Sequence, residues 1–282
     1  MFLTALGLAI ATKGEWDPEK LLATLREAGI EASVEVHVAG DPKHAPTTSA
    51  PGLTIHLREN ASLFELWGLA IDRCTAPWVA ILHADALPVA GWFAAMNEAI
   101  EREGLADGYW GPVEPDFGTD DPRTVAYLTE YVQFRWPISN DMKEVPGSNL
   151  VLPRQRLGFS GGDFSKTRLL GEGLEPRLVE QARVRYARPY RFADYCGRRF
   201  RHGRAYAAKR MPKLSLLKAI PMTLVLPAVR IDRILAHAFQ HRQGGLSWLR
   251  WFPAILFAET FWSVGELVGY VTGRPGDLAR LD

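Results

Sequence analysis

Residues 59–92 read ENASLFELWGLAIDRCTAPWVAILHADALPVAGW, and the rest of the chain is best parsed outward from them. Ser62 followed by Glu65 is a capping box: the hydroxyl can take the amide of the third helical residue, and the carboxylate can reach back to the Ser62 amide. The helix it opens carries Leu66, Trp67, Leu69 and Ala70 on one side and ends at Pro77, which has no amide to continue the ladder. Trp78–Leu82 is then wholly apolar and short, as expected of a strand buried on both faces, and it runs directly into His83, Ala84 and Asp85. Pro88 and Trp92 start a further amphipathic helix reaching about Ile100. Polar side chains therefore stand at the carboxyl end of a central strand, where open α/β sheets bind ligands.

The flanking sequence repeats the alternation. Leu3–Ala11 reads as a buried strand, Asp17-Pro18 as an N-cap and first helical residue, and Leu21, Leu22 and Leu25 as the core face of the helix that Gly29 ends. Val34–Val38 is a second strand leading to Gly40 and Asp41, and Leu53–His56 a third. Strands alternating with helices imply an α/β fold with parallel strands. No internal repeat or low-complexity linker interrupts the chain.

Composition narrows the class. Of 282 residues 47% are apolar and 23% charged, an ordinary globular balance. Cys74 and Cys196 are too few for a disulfide framework or a zinc site and fit a reducing cytosol. The apolar run Phe2–Thr12 lacks a basic segment before it and reads as a strand rather than a signal peptide. Charge is unevenly spread: residues 183–250 hold 16 Lys and Arg against two acidic residues, whereas residues 1–182 hold 15 against 26. The basic region suits an anionic partner such as a diphosphate or the negative leaflet of a membrane, or a solvated face. Nucleic acid is disfavoured because the stretch continues into Leu- and Trp-rich sequence with no recognisable reading motif. The absence of G-x-G-x-x-G after the first strand argues against a dinucleotide dehydrogenase.

The last seventy or so residues are different in kind. Leu214–Phe239 and Leu246–Val271 are strongly apolar, yet Pro221 and Pro227 are expected to break the first, and Glu259 and Glu266 interrupt the second. Neither offers about 18–20 uninterrupted apolar residues, so both read as interfacial or re-entrant helices flanked by basic and aromatic residues, or as a helical pair packed on protein. The expected division is a catalytic domain over residues 1–208 and a membrane-associated helical segment over residues 209–282.

In this order, the first strand, the second strand ending at Asp41, the 59–92 stretch, PGSNLVLPRQRL (146–157) and RRFRHGR (198–204) resemble family 2 glycosyltransferases over about residues 3–210. The most specific part is the apolar strand followed by Ala84-Asp85, Pro88 and Gly91-Trp92. The resemblance implies a GT-A-like nucleotide-sugar-binding sheet flanked by helices with a C-terminal hydrophobic extension, inverting chemistry, and a nucleoside-diphosphate sugar as donor.

It also implies roles for particular residues. Asp85, with His83 where relatives carry a first Asp, would hold a divalent cation, Mn²⁺ or Mg²⁺, on the donor diphosphate; a carboxylate suits either ion, and imidazole suits Mn²⁺ better. Thr12, Glu15 and Asp41 would hold the nucleoside. Asn149 and Trp92 would face the acceptor, Asn149 being equally readable as part of a turn. Arg201, His202 and Arg204, in a cluster with Arg198 and Arg199, would stabilise the departing diphosphate. The Glu-Asp pair that supplies the general base in many relatives is absent in its common form; by position Asp163 stands in, with Glu172 as runner-up, and Asp163 is also readable as a helix N-cap. A lipid-linked or polysaccharide acceptor, the cytoplasmic face of the inner membrane and cell-surface glycan assembly complete the expectation, with homo-oligomerisation left open. The alternative is a catalytically degenerate membrane scaffold.

Overall fold

The computed structural model describes residues 6–103, 106–139, 142, 144–157, 173–210, 215–241 and 247–277. The chain forms two compact units, each made of two segments: residues 1–116 with 134–187, and residues 117–133 with 188–282.

The first unit is built on a mixed sheet. β1 (Leu6–Thr12), β2 (Val36–Gly40), β3 (Thr54–Leu57) and β4 (Trp78–His83) run parallel in the order β3-β2-β1-β4. They are linked by α1 (Pro18–Glu27), capped by Asp17, whose carboxylate accepts the amides of Glu19 and Lys20, and by α2 (Leu63–Arg73), whose Ser62–Glu65 capping box is fully formed. β1 is buried along its whole length and β4 from Val79 to His83, as their unbroken apolar sequences require.

At β4 the sheet changes character. β5 (Ala86–Pro88) turns straight back and pairs with β4 at His83↔Ala86, α3 (Trp92–Glu103) follows it, and β6 (Tyr109–Trp110) and β7 (Val113–Pro115) come next. β8 (Asn149–Pro153) lies antiparallel along β4 from Trp78 to Leu82. β9 (Arg177–Leu178) pairs with β6, and β10 (Val184–Tyr186) lies between β5 and β7. The parallel half thus gives way to antiparallel strands at the residue where β4 ends, leaving the carboxyl ends of β1, β2 and β4 at a switch point in the topology. Packing there is close: a Cβ on Gly111 would stand 1.8 Å from the Ala182 carbonyl oxygen.

The second unit is helical: α4 (Thr124–Glu130), α5 (Phe192–Arg210), α6 (Leu216–Gln240) and α7 (Phe252–Thr272). The sequence-level boundary near residue 208 falls inside α5. α6 does not break at its prolines; Pro221 and Pro227 lie within one continuous helix. Each proline removes one backbone donor, a loss the rest of the ladder carries, and both rings sit on partly or fully exposed faces. α7 with its preceding turn is, among the described residues, one segment long and apolar enough to cross a membrane, and 44% of its most apolar window is buried inside the protein.

α5 and α7 meet backbone to backbone. A Cβ at Gly203 would lie 2.1 Å from the Trp262 carbonyl oxygen, at Gly265 2.0 Å from that of Phe200, and at Gly269 2.3 Å from that of Arg204. Gly265→Ala is therefore expected to force the two helices apart and destabilise the protein by about 1–3 kcal/mol, read as a lower urea midpoint. The acidic residues that seemed to interrupt the apolar tail point into this contact. Glu259 and Glu266 are buried; Glu259 bonds Arg199 and, at 2.7 Å, Arg230, which also reaches Glu266 at 3.0 Å and Ser263 at 2.5 Å.

Candidate active site at the carboxyl edge of the parallel strands

Three adjacent strands, β2, β1 and β4, deliver Asp41, Thr12 and the His83–Asp85 turn to one edge of the sheet. Neighbouring strands are about 4.8 Å apart, so this row spans roughly 10 Å, the length of a nucleoside.

The turn after β4 is tightly held. The Ala84 amide donates to the Ala11 carbonyl at 3.1 Å, and the Asp85 carbonyl accepts the Ala187 amide at 2.8 Å. The Asp85 amide donates to His83 Nδ1 at 3.0 Å. The same Nδ1 lies 3.6 Å from Asp85 Oδ2, so the imidazole and the carboxylate stand side by side. Its ring stands edge-on to Trp67, whose indole N–H donates to the Leu82 carbonyl at 2.6 Å. The His83 side chain is 8% exposed and the Asp85 carboxylate 30%. Asp85 is the more exposed of the pair, and a carboxylate and an imidazole at this spot could offer oxygen and nitrogen donors to a divalent cation.

On the nucleoside side, Thr12 is buried and its hydroxyl donates to the Gly14 carbonyl at 3.3 Å. It pairs with Gly40, where a Cβ would come within 3.0 Å of the Thr12 methyl group. Lys13 donates to the Ala61 carbonyl at 2.8 Å. Asp41 accepts the Lys43 amide at 3.0 Å as the cap of a short 3₁₀ turn, and Glu15 is exposed on the loop after β1.

The two residues expected to face the acceptor lie inside the fold. Asn149 and Trp92 are both fully buried, and the Trp92 indole N–H donates to Asn149 Oδ1 at 2.9 Å. The Asn149 amide donates in turn to the carbonyls of Pro112 at 3.2 Å and Ala182 at 2.8 Å. Asn149 thereby joins β8, α3 and the loops flanking β7 and β10, and organises the sheet. The expected base, Asp163, its runner-up Glu172, and the Gly161-Gly162 pair lie outside the described residues.

The basic cluster sits on α5 in the second unit. Arg199 is buried against Glu259 and lies over the Trp262 ring at 4.1 Å; Arg198 faces Glu130 at 3.7 Å. Arg204 donates to the Arg274 carbonyl at 3.0 Å, His202 meets Trp262 edge-on, and Arg201 lies on the same helix. Arg198 and Arg199 thus hold this unit together.

The sequence reading missed a second polar group, Glu35, His37 and Cys74, whose ligand atoms all lie within 4.8 Å of one another. Glu35, just before β2, and His37 within it are two residues apart in extended chain, a spacing visible in the sequence; the nearness of Cys74 was not. Burial, and secondarily the nearby Glu35 carboxylate, push the Cys74 thiol up to about 12.

A parallel β3-β2-β1-β4 half continued by antiparallel strands is an α/β arrangement that the chain shares with a solved glycosyltransferase. Among solved structures, the chain is similar to the mannosyltransferase PcManGT from Pyrobaculum calidifontis in complex with GDP-Man and Mn²⁺, with a TM-score of 0.52 and 17% identity, covering 93% of this chain and 87% of that one. No family model and no curated protein matches the sequence.

Proposed function

We propose that this protein is an inverting, family 2-like glycosyltransferase that moves a sugar from a nucleoside-diphosphate donor to a lipid-linked or polysaccharide acceptor at the cytoplasmic face of the inner membrane, in cell-surface glycan assembly. The observation that carries the reading is the Asp85 carboxylate at the end of β4, held by its backbone beside the Thr12 and Asp41 strand ends. The neighbouring fold that binds GDP-Man and Mn²⁺ supports it.

The residues divide the work as follows. Thr12, Glu15 and Asp41 hold the nucleoside, and the His83 Nε2–H is a hydrogen-bond donor to the donor substrate. Asp85 holds Mn²⁺ or Mg²⁺, which when bound neutralises charge on the leaving diphosphate. Arg201, His202 and Arg204 add positive charge for the departing group. Asp163, or Glu172 in its place, takes the proton of the acceptor hydroxyl as that oxygen bonds the anomeric carbon and the bond from that carbon to the diphosphate oxygen breaks. One displacement inverts the anomeric configuration.

Residues 1–208 form the catalytic domain in this reading and residues 209–282 the membrane-associated segment. α6 exposes Leu217 at 88%, Leu224 at 74% and Val225 at 59%, with Ile220 and Val229 nearby and Lys218 among them, a surface suited to the interface of an anionic membrane.

The test is slow hydrolysis of UDP-, GDP- and dTDP-sugars by the detergent-solubilised full-length chain, with and without Mn²⁺ or Mg²⁺. Metal-dependent turnover of one nucleotide class is expected. Failure of every donor to bind would overturn the proposal in favour of a non-catalytic membrane scaffold, the reading that a histidine in place of a first carboxylate would then support.

A further inference from the structure

The edge of the sheet opposite the candidate active site carries a group of side chains that the proposed reaction does not use. Glu35 immediately precedes β2, His37 is its second residue, and Cys74 follows α2 just before β4. β4 separates this group from Asp85 by roughly 16 Å of extended chain.

Each donor is pre-positioned. Glu35 Oε1 accepts the amides of Thr75 at 2.7 Å and Ala76 at 2.5 Å, which fixes the carboxylate and turns Oε2 toward His37 Nε2 at 3.4 Å. Oε2 also receives the Thr75 hydroxyl at 3.1 Å. His37 Nδ1 lies 3.0 Å from His56 Nε2, and the two rings stack at 5.3 Å between centroids. Cys74 is a buried free thiol. Beneath them is Gly7 of β1, where a Cβ would come within 2.7 Å of Glu35 Oε1, so the carboxylate fits only because that strand has no side chain there.

This is how a metal-binding imidazole is commonly supported: one ring nitrogen faces the ion while the other bonds an outer partner that fixes the ring, and the ligating carboxylate is itself hydrogen-bonded. We infer that Glu35 Oε2, His37 Nε2 and Cys74 Sγ form a site for a borderline-soft divalent cation of the Zn²⁺ or Co²⁺ class, supported by His56 behind His37, with water completing a tetrahedral set. The chemistry selects the ion, since sulfur and imidazole donors favour zinc-like metals over Mg²⁺. Bonds of about 2.0–2.3 Å require the three donors to draw together by a short movement. Loading forms a metal–sulfur bond and releases the thiol proton to solvent. The ion would tie the start of β2 to the loop entering β4 across the intervening β1. The inference is independent of the proposed transferase activity.

The experiment is titration of the chelator-stripped, full-length chain with Co²⁺. One equivalent is expected to bind with a thiolate-to-cobalt charge-transfer band that Zn²⁺ abolishes. Cys74→Ser should eliminate the band, and Asp85→Ala and Cys196→Ser should retain it. His56→Gln should weaken binding about 10–100-fold. His37→Gln, at a position nearer the surface, should also lose the band, so the result does not depend on whether Cys74→Ser folds. Absence of the band with stoichiometric Co²⁺, or its survival in Cys74→Ser, would overturn the assignment.

Discussion

Asp85→Ala should lower metal-dependent donor hydrolysis by about 100-fold or more, the scale seen when one preorganised charge-stabilising group is removed from an active site. The loss should come with little change in stability. The carboxylate is 30% exposed, and backbone groups help shape its turn, the Asp85 amide donating to His83 and the Ala187 amide to the Asp85 carbonyl. Asp85→Asn, which keeps an oxygen but loses the charge, should fall between the two. The discriminating measurement is turnover against metal concentration: activity within a few-fold of wild type at saturating Mn²⁺ would place the metal on other residues. His83→Asn gives the contrast. If the ring acts as an Nε2–H donor, that variant should lose donor affinity while its metal dependence stays unchanged.

Glu259→Ala has the largest expected effect on stability, about 3–5 kcal/mol, the usual cost of leaving a buried charge without its partner. Two cations depend on this carboxylate. Arg199 has a side chain only 5% exposed, and Arg230 donates to the second oxygen of Glu259 at 2.7 Å. Glu266 still offers Arg230 a partner at 3.0 Å, so the uncompensated charge falls chiefly on Arg199. Glu259→Gln, which keeps hydrogen-bonding atoms in the same volume, should be less harmful. Urea denaturation checks both; a Glu259→Ala cost below about 1 kcal/mol would mean that water reaches the network and replaces the bond.

The parallel half of the fold was legible because its signals are local. The Ser62–Glu65 box, Asp17-Pro18 and the apolar run from Trp78 onward each act within a few residues, and all three appear in the structure as read. The second strand is displaced from Val34–Val38 to Val36–Gly40, with Glu35 just outside it engaging Thr75 and Ala76. β5, β6, β7, β9 and β10 are two or three residues long, too short to show a period; β5 and β6 form on the edges of β4 and β8, and β10, β7 and β9 add to them in turn. Asn149 shows the limit for site residues. As part of a Pro-Gly-Ser-Asn sequence it reads as a turn, and only the fold brings it to Trp92, 57 residues away. The buried pairing of Glu259 and Glu266 was hidden for the same reason: an acidic residue in an apolar run looks like an interruption until its arginine partners on other helices are known.

The interleaving of the two units bears on how the protein is made. Residues 117–133 belong with a segment of helices that begins only at residue 188 and whose first helix starts at Phe192, while residues 134–187 complete the sheet. During synthesis at about 5–20 residues per second, α4 leaves the ribosome several seconds before any of those helices exists. Val125, Ala126, Tyr127 and Leu128, all buried in the finished protein, are without their final cover for that interval. Neither unit is encoded by one uninterrupted stretch, so a cut before residue 188 would deprive α4 of its neighbours permanently and yield a fragment prone to aggregate.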